Sequence, residues 1–210
     1  GNTWNRRGHG FFYRESRDQP QLAAVLRKTP TLAIWDDHDY GTNDSDGAEH
    51  PGQRDDALAA FRDYWANPPS GAVPGKAAVP GIWHRASWGG VDFFLIDDRY
   101  YREPGGAGKP PATMLGADQL KWLVDAVTTS KAKFKLIASG SMWSSNLDGG
   151  DTWGAHAEEL KMLLDTFENK KVDGVVLLSG DKHRSAVYLN RPDDGVHPPI
   201  YELMSSGLSG

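Results

Sequence analysis

The chain contains no cysteine. Disulfides, zinc–thiolate sites and thiol nucleophiles are therefore excluded from its 210 residues. No apolar run approaches the length of a membrane span, and the stretch from Gly1 onward does not read as a signal peptide. Basic charge is also short. The formal net charge is -5, with no basic stripe to offset it, which argues against a nucleic-acid backbone as the main partner. Internal repeats and low-complexity segments are absent too. What remains is the composition of an ordinary globular protein, 39% hydrophobic and 24% charged, long enough for one sizeable domain with a buried core. Its 24 glycines and 13 prolines predict many turns and shaped loops between regular elements.

Periodicity supplies the elements. Residues Gly1 to Glu15 are aromatic and basic without a clear period and read as irregular. Gln21 to Lys28 reads as a short helix closed by Pro30, and Thr31 to Trp35 (TLAIW) as a buried strand. Three apolar stripes predict amphipathic helices: Leu58, Phe61 and Trp65; Leu120, Leu123, Val124 and Val127; Leu160, Leu163, Leu164 and Phe167. Ile82 to Trp88, a Gly89-Gly90 turn and Val91 to Ile96 form a candidate hairpin. Lys135 to Ala138, Val175 to Leu178, His183 to Leu189 and Ile200 to Met204 complete the strands. Together they predict an α/β fold, a mixed β-sandwich flanked by helices. Asn67 to Pro80 and Glu103 to Pro111 read as long loops.

The polar residues gather where strands end. TLAIW runs into Asp36-Asp37-His38-Asp39, FFLI into Asp97-Asp98-Arg99, KLIA into Ser139-Gly140-Ser141, and VVLL into Ser179-Gly180-Asp181-Lys182-His183. Ligands of open α/β sheets bind at the carboxyl ends of strands, so four such ends predict one shared site. The segment Asp36 to Asp46 (DDHDYGTNDSD) holds five aspartates and no basic residue. Such a cluster needs a cation or full solvation. An EF-hand fails on register: with Gly47 sixth, Thr42 stands first and Gln53 twelfth, where carboxylates are required. In extended chain Asp181 and His183 share a side and reach one metal or two adjacent ones. Oxygen-rich ligands with some imidazole suit calcium, manganese, iron or zinc. A serine hydrolase built on Ser139, Ser141 and His156 is the weaker rival, because no G-x-S-x-G elbow occurs.

At these residues the sequence resembles the PhoD-like alkaline phosphatases, a branch of the calcineurin-like metallophosphoesterases. The resemblance rests on IWDDHDYGTND (Ile34 to Asp44), FFLIDDRYYRE (Phe93 to Glu103), LGADQLKWL (Leu115 to Leu123), LLSGDKHRS (Leu177 to Ser185) and YELMSSGLS (Tyr201 to Ser209). It implies metal-dependent phosphoester hydrolysis with two or more metal ions, a small-molecule or polymeric phosphoester substrate, and a periplasmic or secreted location. By the same resemblance Asp37, Asp181 and His183 stand at metal-ligand positions and His38 at the position that assists the leaving group. Arg99 stands as a phosphate contact or an ion-pair partner of Asp97 or Asp98, Asp36 and Asp39 as supports of the ligands, and Glu202 as an orienting group. One departure stands out. The family's early D-x-H and its bridging Gly-Asp strand end have no counterpart, since Gly150-Asp151 continues Thr-Trp-Gly. The expectation is a single metallophosphoesterase domain over residues 1–210, incomplete at both ends and lacking its first strands. A complementing N-terminal segment then finishes the site; the alternative is a non-catalytic metal-binding domain of the same fold. Substrate selectivity is expected to lie in Asn67 to Pro80 and Met142 to His156, with Trp143, Trp153 and His156 either lining a pocket or packing.

Overall fold

A computed structural model describes residues 4–71, 79–105, 107–109, 111–144, 150–190 and 200–207. Its centre is one six-stranded mixed sheet: β1 (His84–Trp88), β2 (Val91–Leu95), β3 (Phe134–Ala138), β4 (Val175–Ser179), β5 (Ser185–Asn190) and β6 (Ile200–Ser205), in the order β1-β2-β3-β4-β6-β5. Strands β2, β3, β4 and β6 run parallel, while β1 and β5 close the edges antiparallel. The first edge is the predicted hairpin. Gly89 and Gly90 both take positive φ (59° and 81°), as a tight two-residue reversal requires.

Parallel neighbours need crossovers, and helices α5 (Gly116–Thr129) and α6 (Ala157–Asn169) supply them. Their predicted stripes bury Leu123, Val127, Leu160, Leu163 and Phe167 against Phe94, Ile137, Val175 and Leu177 of the sheet. This is the helix-flanked α/β arrangement expected from sequence, with a single sheet among the described residues. The opposite sheet face is less covered. Its side chains, from Val91, Phe93 and Leu136 across to Val176 and Leu178, are half-buried, and Val187, Tyr201 and Leu203 are exposed.

A second core gathers α1 (Arg6–Arg17) and α4 (Arg54–Tyr64) with Trp35, Tyr40, Ile82 and Tyr100; α2 (Pro20–Leu26) buries no residue, and α3 (Asp37–Tyr40) is a single turn. Two sequence expectations change here. Residues Gly1 to Glu15 are not all irregular, because Asn5 caps α1 by accepting from the Gly8 amide at 2.9 Å. The buried face of α1 is His9, Gly10 and Tyr13, with no aliphatic stripe to betray it. It is held by the Arg6–Asp63 ion pair (2.7 Å) and by Tyr64 stacked on Tyr13 at 5.1 Å.

Thr31 to Trp35 is not a strand either. The segment is extended but pairs with a side chain. Asn67 Nδ2 donates to the Ala33 carbonyl (2.6 Å), and the Ala33 amide donates to Asn67 Oδ1 (3.1 Å). One amide side chain thus replaces a ladder neighbour.

Candidate metal centre

The carboxyl ends of β2, β3 and β4 meet, and the segment ending at Trp35 joins them. Asp98, after β2, accepts from the Ser139 hydroxyl (2.8 Å) and the Ser141 amide (2.6 Å) after β3. The Gly180 amide, after β4, donates to the Gly140 carbonyl at 3.0 Å. A Cβ at Gly140 would lie 2.8 Å from the Trp35 carbonyl oxygen, so only glycine allows this approach. Asp97 nails the region together: it accepts from Trp35 Nε1 (2.8 Å) and from the amides of Arg99 (3.1 Å), Tyr100 (2.9 Å) and Ile82 (3.0 Å).

Asp36, Asp37 and Asp181 each offer an oxygen, all within 4.8 Å of one another; Asp37, Asp44 and Asp151 form a second such group. Asp37 is buried and oriented, accepting from the amides of His38 (2.7 Å) and Asp44 (2.8 Å). His38 projects outward with its side chain 66% exposed, and its Nε2 lies 3.9 Å from Asp37 Oδ2. Lys182 Nζ sits 2.7 Å from Asp181 Oδ2 as a partly buried ion pair.

Arg99 differs from the expectation of a substrate contact. It is fully buried, and its guanidinium is taken up by Asp36 (2.5 Å), by both oxygens of Asp151 (2.9 and 2.8 Å) and by Ser141 (3.2 Å). No face of it is open to substrate. Of the two pairings weighed from sequence, the one with Asp98 is present, Oδ1 lying 3.8 Å from Nε, while Asp97 is occupied by N–H donors; Asp36 and Asp151 make the closer pairs. Asp39 accepts from the Asp36 amide (3.1 Å) and so supports the turn that carries the cluster. Glu202 is an orienting group as expected. Its carboxylate accepts from the Trp143 amide (3.0 Å), the Ser144 amide (2.8 Å) and the Ser179 hydroxyl (2.5 Å).

His183 stands apart from both carboxylate groups and is exposed. The extended-chain argument does not hold at this place. Asp181 and His183 have φ of 70° and 46°, because the chain must turn after β4 to enter the antiparallel edge strand β5. Their i, i+2 spacing therefore does not put them on one side. Asp44 and Asp151 were missed in the sequence. Asp44 lay within the aspartate run without a role, and no motif surrounds Asp151.

The electrostatics follow from crowding. Burial, helped by Asp98, Asp37 and Asp181, pushes the Asp36 carboxyl up to about 7 against the pull of Arg99. Burial also raises Asp44, with Asp151, Asp37 and Asp181 adding to it. For Asp151, burial is outweighed by Arg99 and Arg102, which hold its carboxyl below the usual range. Six carboxylates (Asp36, Asp37, Asp44, Asp98, Asp151, Asp181) meet three cationic side chains, Arg99, Arg102 and Lys182. The surplus of negative charge fits a hard or borderline cation.

No serine triad forms. Ser139 and Ser141 serve Asp98 and the arginines, and His156 Nε2 meets the Glu103 carbonyl at 3.2 Å. Trp143 and Trp153 stack at 4.3 Å in the core, which settles them as packing residues.

A family model described as PhoD-like phosphatase matches residues 11–209. The chain belongs to the PhoD-like phosphatase family. It is 24% identical over 195 residues to alkaline phosphatase D of Bacillus subtilis (strain 168), a match covering 80% of this chain and 33% of that protein. This PhoD-like chain thus spans about a third of the curated relative. A solved structure described as that of PhoD superposes with a TM-score of 0.76 at 21% identity, covering 94% of this chain and 44% of the other; that likeness concerns the fold. No helix among the described residues is long and apolar enough to cross a membrane.

Proposed function

We propose that this chain carries the ligand-bearing part of a metal-dependent phosphoester hydrolase. The observation that carries the reading is the junction of Asp36, Asp37 and Asp181 at the strand ends, with an exposed imidazole beside it. Asp37 and Asp181 hold the cation, with Asp36 adjoining; calcium, manganese, iron and zinc all fit such donors. A cation held there would neutralise phosphoryl oxygens and lower the pKa of a bound water. His38 donates a proton to the leaving oxygen. The Asp44 amide, by gripping Asp37 Oδ2, keeps the ligand turned toward the cluster.

The centre is completed by a complementing N-terminal segment. Two observations support this: the chain spans a third of its curated relative, and one apolar sheet face is left half-exposed. The periplasmic or secreted location belongs to the same reading.

Hydrolysis of p-nitrophenyl phosphate and its bis-ester, with and without chelator, tests the reaction. His38→Ala is expected to lower turnover by about 10²–10⁴ fold with metal content unchanged. Asp37→Ala is expected to lower metal content itself, measured by elemental analysis. Full turnover in His38→Ala, or activity indifferent to chelator, overturns the assignment.

A further inference from the structure

A buried ionic network lies just behind the ligands. Arg99 and Arg102 are both buried, and both bind Asp151 and the Ser141 hydroxyl. Arg102 Nε also donates to the Asp98 carbonyl at 2.8 Å. Burying two guanidiniums and their carboxylates costs several kcal/mol per ion, and apolar residues of the same volume would fill the space without that cost. The network therefore calls for a purpose beyond packing. It meets the carboxylate cluster at two points: Asp151 itself groups with Asp37 and Asp44, and Arg99 Nη2 bonds Asp36 Oδ1 at 2.5 Å.

The geometry points to Arg99 and Asp151 as positioning residues for the cation site: Asp151 fixes the guanidinium, and the guanidinium fixes Asp36. The inference rests on the reading of the site as a metal centre. Asp151 grips Arg99 through two oxygens, at 2.9 and 2.8 Å, and a bidentate grip sets the plane of the fork. With the plane set, the direction of the bond to Asp36 is set too. Holding one carboxylate oxygen leaves the other for ligation, which is how outer groups orient metal ligands. Lysine carries the charge but lacks the fork. Arg102 and Ser141 complete the cage around the two buried ions.

Calorimetric titration of the chain with Mn²⁺ tests this, with Asp165→Asn, on the exposed Lys161–Asp165 pair, as control. Arg99→Lys and Asp151→Asn are each expected to weaken Mn²⁺ binding by about 10–100 fold. The double variant is expected to be no weaker than the poorer single one, because both changes break the same link. A purely structural role would instead lower the melting temperature and leave affinity intact in the folded protein. Ser141→Ala strands no buried charge and keeps the test open should the charge variants fail to fold; it is expected to weaken binding measurably. Unchanged affinity in every folded variant overturns the positioning role. No Mn²⁺ binding by the unsubstituted chain overturns the metal-centre reading itself, so the two failures are distinct.

Discussion

His84 is a buried histidine with one satisfied nitrogen. Its Nδ1 lies 2.9 Å from the Ile82 carbonyl, which only accepts, so Nδ1 carries the proton; Nε2 is buried with no partner. Protonating Nε2 would strand a buried N–H, and burial accordingly lowers the pKa of His84 below 6.5. His9 and His156 are lowered for the same first cause. Each takes up a proton in the unfolded chain before it does so in the folded one. These three histidines therefore contribute stability that is lost as pH falls below about 6.5, with a slope of at most about 1.4 kcal/mol per pH unit for each, while the raised carboxyls of Asp36 and Asp97 act in the opposite direction. Between pH 7.5 and 5, the melting temperature of His84→Leu should gain on that of the unsubstituted chain as the pH falls, because the variant lacks the contribution of His84. A slope unchanged in that variant would refute the account. Asp151 shows the opposite problem of legibility. Nothing beside it in sequence marks it, but Arg99 and Arg102 lie in FFLIDDRYYRE, where Asp97 is consumed by four N–H donors. Two buried arginines with one free carboxylate nearby require a partner from elsewhere, and that deficit was the available signal.

Element by element, the legible parts were those whose period matched their burial. Helices α4, α5 and α6 carry apolar stripes, and β2, β3 and β4 are short, largely apolar segments that run into polar strand ends. Where burial is aromatic and polar, as on α1, the stripe is silent. Where extended chain is satisfied by a side chain, as at Ala33, an apolar run looks like a strand without being one. That substitution is testable. Asn67→Ala removes both partners of Ala33 and is expected to lower stability by about 1–2 kcal/mol, read from a denaturant midpoint at unchanged slope. Asn67→Asp keeps the acceptor for the Ala33 amide but not the donor for its carbonyl, and should fall between. Equal stability in all three would mean that water serves Ala33 as well as the amide does. The candidate site follows the same division. Convergence of strand ends was legible, because topology places them together; the backbone turn that separates Asp181 from His183 was not, because it depends on β5 crossing to the sheet edge.

At the scale of the whole molecule, the two sheet faces are unequal. One buries Phe94, Ile137, Val175 and Leu177 beneath α5 and α6. The other ends in a ribbon where Val187 pairs with Leu203 and Leu189 with Tyr201, and all four are exposed. Trp88, 75% exposed, extends the same face at the far edge. Contiguous exposed apolar area of this kind marks a contact surface, and an edge strand such as β5 adds unpaired backbone groups to it. The chain by itself should therefore bind an apolar dye such as ANS and self-associate in sedimentation. Val187→Lys with Leu203→Lys puts two like charges directly across the ribbon and should suppress both. Because these side chains bury little, the cost to stability should stay near about 0.5 kcal/mol per site, apart from the repulsion between them. Val187→Lys with Leu203→Glu separates charge from polarity: it should reduce dye binding as well while avoiding that repulsion. If the chain neither binds dye nor associates, the face needs no cover, and the complementing segment loses its structural support while the carboxylate cluster keeps its own.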